Sequence, residues 1–154
     1  MIRVIGVVIL CCTGGLWGAY LLERKKRQLI HIQTGIQLLR FLGWELENYP
    51  NQAQELPQKL NEQHQWEPYL GKGIDYLNQL QVPTTFPRNE RRQLKQCFEG
   101  LGYGGVAETV QELEQTLHWM EALELDKRQK LGRDNHLYLP IGLCGGLAVA
   151  ILLL

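Results

Sequence analysis

Four histidines and four cysteines are the residues best suited to metal or redox chemistry in this chain, and their spacing supports neither. His31, His64, His118 and His136 are scattered, with no HExxH and no Glu-x-x-His pair of the di-iron bundle type. Glu114, His118 and Glu121 fall on one side of a helical stretch. No second carboxylate-rich segment completes a coordination shell, so they read as an exposed polar edge. Cys11, Cys12 and Cys144 lie inside long apolar runs, and Cys97 lies on an apolar helical face, with no CxxC. Such cysteines act as small hydrophobes rather than as a redox pair or a disulfide. A phosphate-cradling glycine loop, a GxSxG elbow and a GxGxxG after a strand are all missing. The chain therefore reads as non-enzymatic, with no catalytic residue, metal or cofactor.

Charge offers more. Sixteen basic and 16 acidic residues cancel, which gives no global field for nucleic acid and leaves function to local clusters. Arg88, Arg91, Arg92 and Lys95 are spaced three, one and three apart, which gathers four cations on one helix face as a candidate partner-docking stripe. The bland alternative is a solvated face trading ion pairs with Glu90, Glu99 or the run Glu108, Glu112 and Glu114. Two further clusters, Arg24, Lys25, Lys26 and Arg27 and then Lys127, Arg128, Lys130 and Arg133, each border an uncharged segment. Anionic lipid headgroups would attract both.

Those segments set the organisation. Val4 to Leu22 is uncharged over about 19 residues and Leu137 to Leu154 over about 18. At ~1.5 Å per residue the first is long enough for a hydrocarbon core of roughly 30 Å, while the second is just at the lower limit for a span, with a buried core helix as its rival reading. The reading is three regions: a transmembrane helix over 1–22, a helical domain over 23–136 and a second transmembrane helix over 137–154. A cleaved signal peptide is the rival at the N-terminus, but the apolar run is long for one and no A-x-A-like site follows it. Eight inward-facing cations place the middle region in the cytosol. Gly14 and Gly18, and likewise Gly142 and Gly146, sit four apart and would let the spans pack closely, within one chain or as a homo-oligomer.

Between the spans the periodicity is helical. Leu29, Ile32, Ile36, Leu39, Leu42, Leu46 and Tyr49 make one face of a helix that meets no proline before Pro50, predicting a nearly continuous rod with the first span, weakest at Gly35 and Gly43. A short helix follows if Pro57 sits in its first turn. Trp66, Leu70, Gly73, Leu77 and Leu80 predict an amphipathic helix, and Val82 to Pro87 a linker. A helix from about Pro87 to Leu101 carries Leu94, Cys97, Phe98 and Leu101 on one face. A last long helix opens at Val106, Val110, Leu113, Leu117 and Met120 and runs toward the second span, which Pro140 would kink at its start. Without period-two alternation no sheet is expected. The fold class is all-α, an antiparallel bundle of five to six helices with both termini in the membrane.

The order of several runs resembles the stage III sporulation protein AB family of endospore-forming bacteria. These runs are Glu23-Arg24 after the first span, Leu42-x-x-Glu45-Leu46 near a tyrosine, Leu94-Lys95-Gln96 leading to Leu101-Gly102, and Gly142-Leu143 before Ile151-Leu152-Leu153-Leu154. The chain departs from the family pattern at Gly104, Gly105 and Pro140, and Tyr49 sits a residue late. The soluble part of that family is similar to the cytoplasmic helical domains of type II secretion and type IV pilus platform proteins. The resemblance implies a scaffold in the mother-cell membrane around the forespore, within a channel-like complex of sporulation proteins. It would partner a cytosolic secretion-type ATPase, stage III sporulation protein AA, and contact membrane lipid but no nucleic acid. A platform protein unrelated to sporulation and a membrane-anchored regulatory adaptor are the alternatives.

Overall fold

The computed structural model describes the backbone of residues 2–101 and 105–152. Side chains are described over 12–101 and 105–133, with positions 140, 144, 145 and 148 beyond. The helices are α1 (Ile2–Asn48), α2 (Leu56–Asn61), α3 (Glu67–Leu70), α4 (Arg88–Gly100) and α5 (Val106–Leu152). Short 3-10 turns occupy Pro50–Glu55, His64–Trp66 and Leu77–Gln79. Among the described residues there is no strand. The chain divides into two compact units, one of Met1–Leu29 with Asp126–Leu154 and one of Ile30–Leu125.

Both long helices form as their sequences predict. α1 runs unbroken for 47 residues through Gly35 and Gly43, and Tyr49 then opens the first 3-10 turn at Pro50. α5 also spans 47 residues, with Pro140 inside it rather than at its end. Pro57 occupies the first turn of α2, where its missing N–H costs nothing.

The core lies in the unit of residues 30–125. Ile32, Ile36, Leu39, Leu42 and Leu46 of α1 are buried against Leu56, Leu60, Tyr69, Leu94, Phe98, Leu113 and Met120. The three-and-four spacing turns these α1 side chains to one side. Two polar pairs align α1 with α5 in antiparallel register: Gln33 Nε2 donates to Glu124 Oε1 at 2.9 Å, and Arg40 pairs with Glu121 at 2.6 Å. At the far end of α1 the buried carboxylate of Glu45 accepts from Lys59 Nζ at 3.0 Å, joining α1 to α2.

One expected element is absent. The amphipathic helix predicted over residues 66–80 is instead a 3-10 turn, the four-residue α3, a loop and a second 3-10 turn. Gly71 and Gly73 break it by adopting φ of 60° and 103°, a region that only glycine enters at little cost. Asn61 holds the resulting loop: its Nδ2 donates to the Ile74 carbonyl at 2.7 Å and its Oδ1 accepts from the Ile74 N–H at 3.0 Å. The Gln81 N–H donates to the Tyr69 carbonyl at 2.8 Å across the same loop. Trp66, Leu70 and Leu80 are buried all the same, so the apolar pattern marks the core correctly while misreporting the backbone.

The two glycines of α1 separate sharply. A Cβ on Gly35 would fall within 2.3 Å of Tyr69 Oη and 2.8 Å of Met120 Cε, whereas one on Gly43 would meet nothing within 4 Å. Tyr69 cannot move aside: it is fully buried, donates to the His31 carbonyl at 2.5 Å and meets the Phe98 ring edge-on at 6.1 Å between centroids. Gly43→Ala should therefore stabilise by about 0.5–1 kcal/mol through helix propensity. Gly35→Ala should destabilise by about 1 kcal/mol, because overpacking exceeds the same propensity gain. Urea melts of the two variants read the opposite signs, and a shift in the same direction for both would contradict this packing.

Candidate functional site

α4 separates its chemistry onto two sides. Leu94 and Phe98 are completely buried and Leu101 nearly so, while Arg88, Arg92 and Lys95 are exposed and Arg91 is half-buried. The apolar face is thus committed to the core and the basic stripe is turned outward. Lys95 shares its charge with Glu99, one turn on, at 3.4 Å, and both are well exposed. Among the described residues no carboxylate pairs with Arg88 or Arg92.

Arg91 has a different job from the one its position in the stripe suggests. Its Nη2 donates to the Thr84 carbonyl at 2.6 Å and to the Phe86 carbonyl at 3.1 Å. The guanidinium therefore fastens the linker between Val82 and Pro87 to the first turn of α4, and Phe86 plugs the core at 2% exposure. Sequence reasoning missed this role, which two acceptors five and seven residues upstream of an arginine could have suggested.

The predicted polar edge on α5 is also tied up. Glu121 accepts from Arg40, and His118 Nδ1 lies 3.7 Å from its other oxygen. Among the described residues no group of three or more His, Cys, Asp or Glu side chains could hold a metal ion. Cys97 receives a 3.1 Å hydrogen bond from Thr116 Oγ1, and burial pushes its thiol pKa up, which disfavours the reactive thiolate. Cys12 and Cys144 are free and exposed, and the side chain of Cys11 lies outside the described residues.

The unit of residues 1–29 and 126–154 gathers cations from both ends of the chain. Lys25 of α1 and Lys127 and Lys130 of α5 line one recess of about 120 Å³, together with Gln28, Leu29 and Leu131. Outside the recess, Arg24, Lys26, Arg27, Arg128 and Arg133 are exposed. Arg27 pairs with Glu23 at 2.6 Å, which raises its pKa, and Lys130 pairs with Asp126 at 2.7 Å. Further along α1, Gly18 is buried and Gly14 half-buried, while Leu16, Trp17 and Tyr20 are exposed. Any pairing of these glycines with Gly142 and Gly146 falls on side chains outside the described residues. Among the described residues no helix is long and apolar enough to cross a membrane. The side chains of 1–11 and of most of 134–154, on which both expected spans chiefly rest, lie outside them.

The α4 stripe, the α5 cations and the C-terminal apolar segment all fall in the stretch that known sequences identify. A family model described as stage III sporulation protein AB matches residues 74–154, just over half of the chain. The chain belongs to the stage III sporulation protein AB family. Membership gives it a role in stage III of sporulation. The matched stretch contains Leu94-Lys95-Gln96 and the C-terminal run, whereas Glu23-Arg24 and the Leu42 to Leu46 segment lie outside it. Neither a curated protein nor a solved structure matches the chain.

Proposed function

We propose that this family member is a non-catalytic scaffold in the mother-cell membrane around the forespore. It is tethered by its two terminal segments and holds the helical domain in the cytosol, where α4 docks a secretion-type ATPase, stage III sporulation protein AA, within a channel-like complex. Leu16, Trp17 and Tyr20, exposed four to eight residues before Arg24, support the tether. Aromatic side chains followed by cations suit a helix leaving hydrocarbon through the headgroup layer. ATP hydrolysis would be supplied by the partner, and the scaffold would contribute position.

The observation that carries the docking reading is the outward pair Arg88 and Arg92, one turn apart, on a helix whose other face is fixed in the core. Complementary charge at such a surface raises the association rate and fixes orientation. Arg88→Glu with Arg92→Glu should leave melting within about 0.5 kcal/mol per substitution. Association with the ATPase should slow by about tenfold at low salt, and the difference should vanish near ~1 M salt, where the Debye length is about 3 Å. Binding kinetics on immobilised full-length protein test this, and equal rates at low salt would reduce the stripe to a solvated face.

A further inference from the structure

We propose that copies of this chain associate head to tail, with Arg88 and Arg92 of one copy engaging a groove between α1 and α5 of the next. The inference goes beyond the docking reading, since the partner is a second copy and the groove has no part in that reading. The groove measures about 220 Å³ and lies wholly within the unit of residues 30–125. Three features suit it to a cation on a long apolar stem. A Cβ on Gly43 would meet nothing within 4 Å, so α1 leaves room beside Leu39 and Leu117, which share the lining. Trp44 also lines it and is 54% exposed, and an exposed indole attracts a guanidinium. Glu47 of α1 and Glu114 of α5 are exposed in the same lining, and among the described residues neither has a cation partner. Arg40, the cation of that lining, is held by Glu121 at 2.6 Å. An arginine would supply both the missing charge and an apolar cover for the leucines.

The same chain displays the complement. Arg88 and Arg92 are exposed one turn apart on a helix that Leu94 and Phe98 fix in the core, and complementary charge sets the orientation of such a contact. The Thr116 hydroxyl donates to Cys97, and a Cβ on Gly100 would lie 3.3 Å from Glu112. α4 therefore runs antiparallel along the part of α5 that walls the groove. By that register Arg92 and Glu114 lie within about two helical turns of each other along α5, so neighbours with parallel axes engage after a slide of that length. A phosphate-bearing partner fits the groove poorly, because its two free carboxylates would repel it. Stripe and groove are different surfaces, so the contact is heterologous and its repetition gives a ring or a filament.

Sedimentation velocity of the full chain in neutral detergent at low salt tests the contact. Glu47→Lys with Glu114→Lys reverses the groove, Arg88→Glu with Arg92→Glu reverses the stripe, and Gly43→Leu fills the groove at constant charge. Each should self-associate about tenfold more weakly than the wild type with unchanged helicity. An equimolar mixture of the two reversed proteins should recover pairing to within about threefold, because one supplies an intact groove and the other an intact stripe. A wild type that stays monomeric, a mixture that does not recover, or wild-type association by any of the three variants would overturn the contact. Association through the terminal segments gives the last of these results. Should a reversed protein fail to fold, Gly43→Leu decides alone. The ATPase, added to the same proteins, separates the two readings, since the reversed groove should bind it at the wild-type rate. ATPase rates insensitive to Arg88 and Arg92, with self-association as described, refute docking alone. Sensitive rates with a monomeric wild type refute the head-to-tail contact alone.

Discussion

Leu113→Asp will unfold the unit of residues 30–125. Leu113 is 2% exposed in the cluster that joins α5 to α1 and α4. The substitution removes an apolar side chain whose truncation alone costs about 2–5 kcal/mol. It also buries a carboxylate for which the cluster offers no cation, so the total should exceed about 4 kcal/mol, a large part of the 5–15 kcal/mol typical of a domain. Leu117→Asp, at a half-buried position, should cost about 1–3 kcal/mol. Leu125→Asp, at 60% exposure, should stay within about 0.5 kcal/mol. Limited proteolysis of the full chain in detergent micelles follows the order, because Arg40 and Arg92, exposed but held in helical backbone in the folded unit, become cleavable by trypsin once that backbone melts, even if the terminal helical segments persist. Equal cleavage of the Leu113 and Leu125 variants would refute the assigned face of α5.

The gradation along α5 shows what the sequence carried. A three-and-four repeat says which side of a helix is apolar, and in α1, α4 and α5 it placed Leu42, Phe98 and Leu113 in the core. It could not say how deeply each residue lies, since depth depends on which element covers it: Leu113 is sealed whereas Leu117, one turn on, is half-open. Nor could it find the break at Gly71 and Gly73. A buried loop leaves the same apolar spacing as a helix when its large side chains must reach one core, and the only local warning was the pair of glycines two residues apart. The Asn61 clamp on Ile74 spans 13 residues and has no periodic signature at all.

The candidate surfaces were legible to differing depth. Position on α4 was enough to group Arg88, Arg91, Arg92 and Lys95, because helical geometry alone determines which residues share a face. The recess was not legible, since nothing in Lys25 announces Lys127 and Lys130 as neighbours until two distant helical segments are placed side by side. Stripe and recess lie in different compact units, residues 30–125 for the first and the terminal segments for the second. A variant of one can therefore be read without altering the residues of the other.

Arg91→Glu will destabilise the protein by about 2–3 kcal/mol, whereas Arg92→Glu, its neighbour in sequence, will change stability by less than about 0.5 kcal/mol. The difference follows from what each guanidinium touches. Arg92 is exposed and pairs with no described carboxylate. Arg91 gives two hydrogen bonds, at 2.6 and 3.1 Å, to the carbonyls of Thr84 and Phe86. Hydrogen bonds from a charged donor contribute about 1.5–3 kcal/mol when buried, and the bond to Thr84 is discounted because it is exposed. A glutamate would turn two donor contacts into repulsion against the same carbonyls and would loosen the linker that seats Phe86, itself 2% exposed. Arg91→Lys should fall between, near 1 kcal/mol, since a point donor can satisfy one carbonyl but not hold the fork between two. Thermal melts of the three variants check the order, and coincident curves for Arg91→Glu and Arg92→Glu would remove the clamp from the account. The same contrast governs how docking is read. Weak partner binding in a variant that includes Arg91 would report a displaced linker as much as a lost charge, and the pair Arg88 and Arg92 isolates the charge.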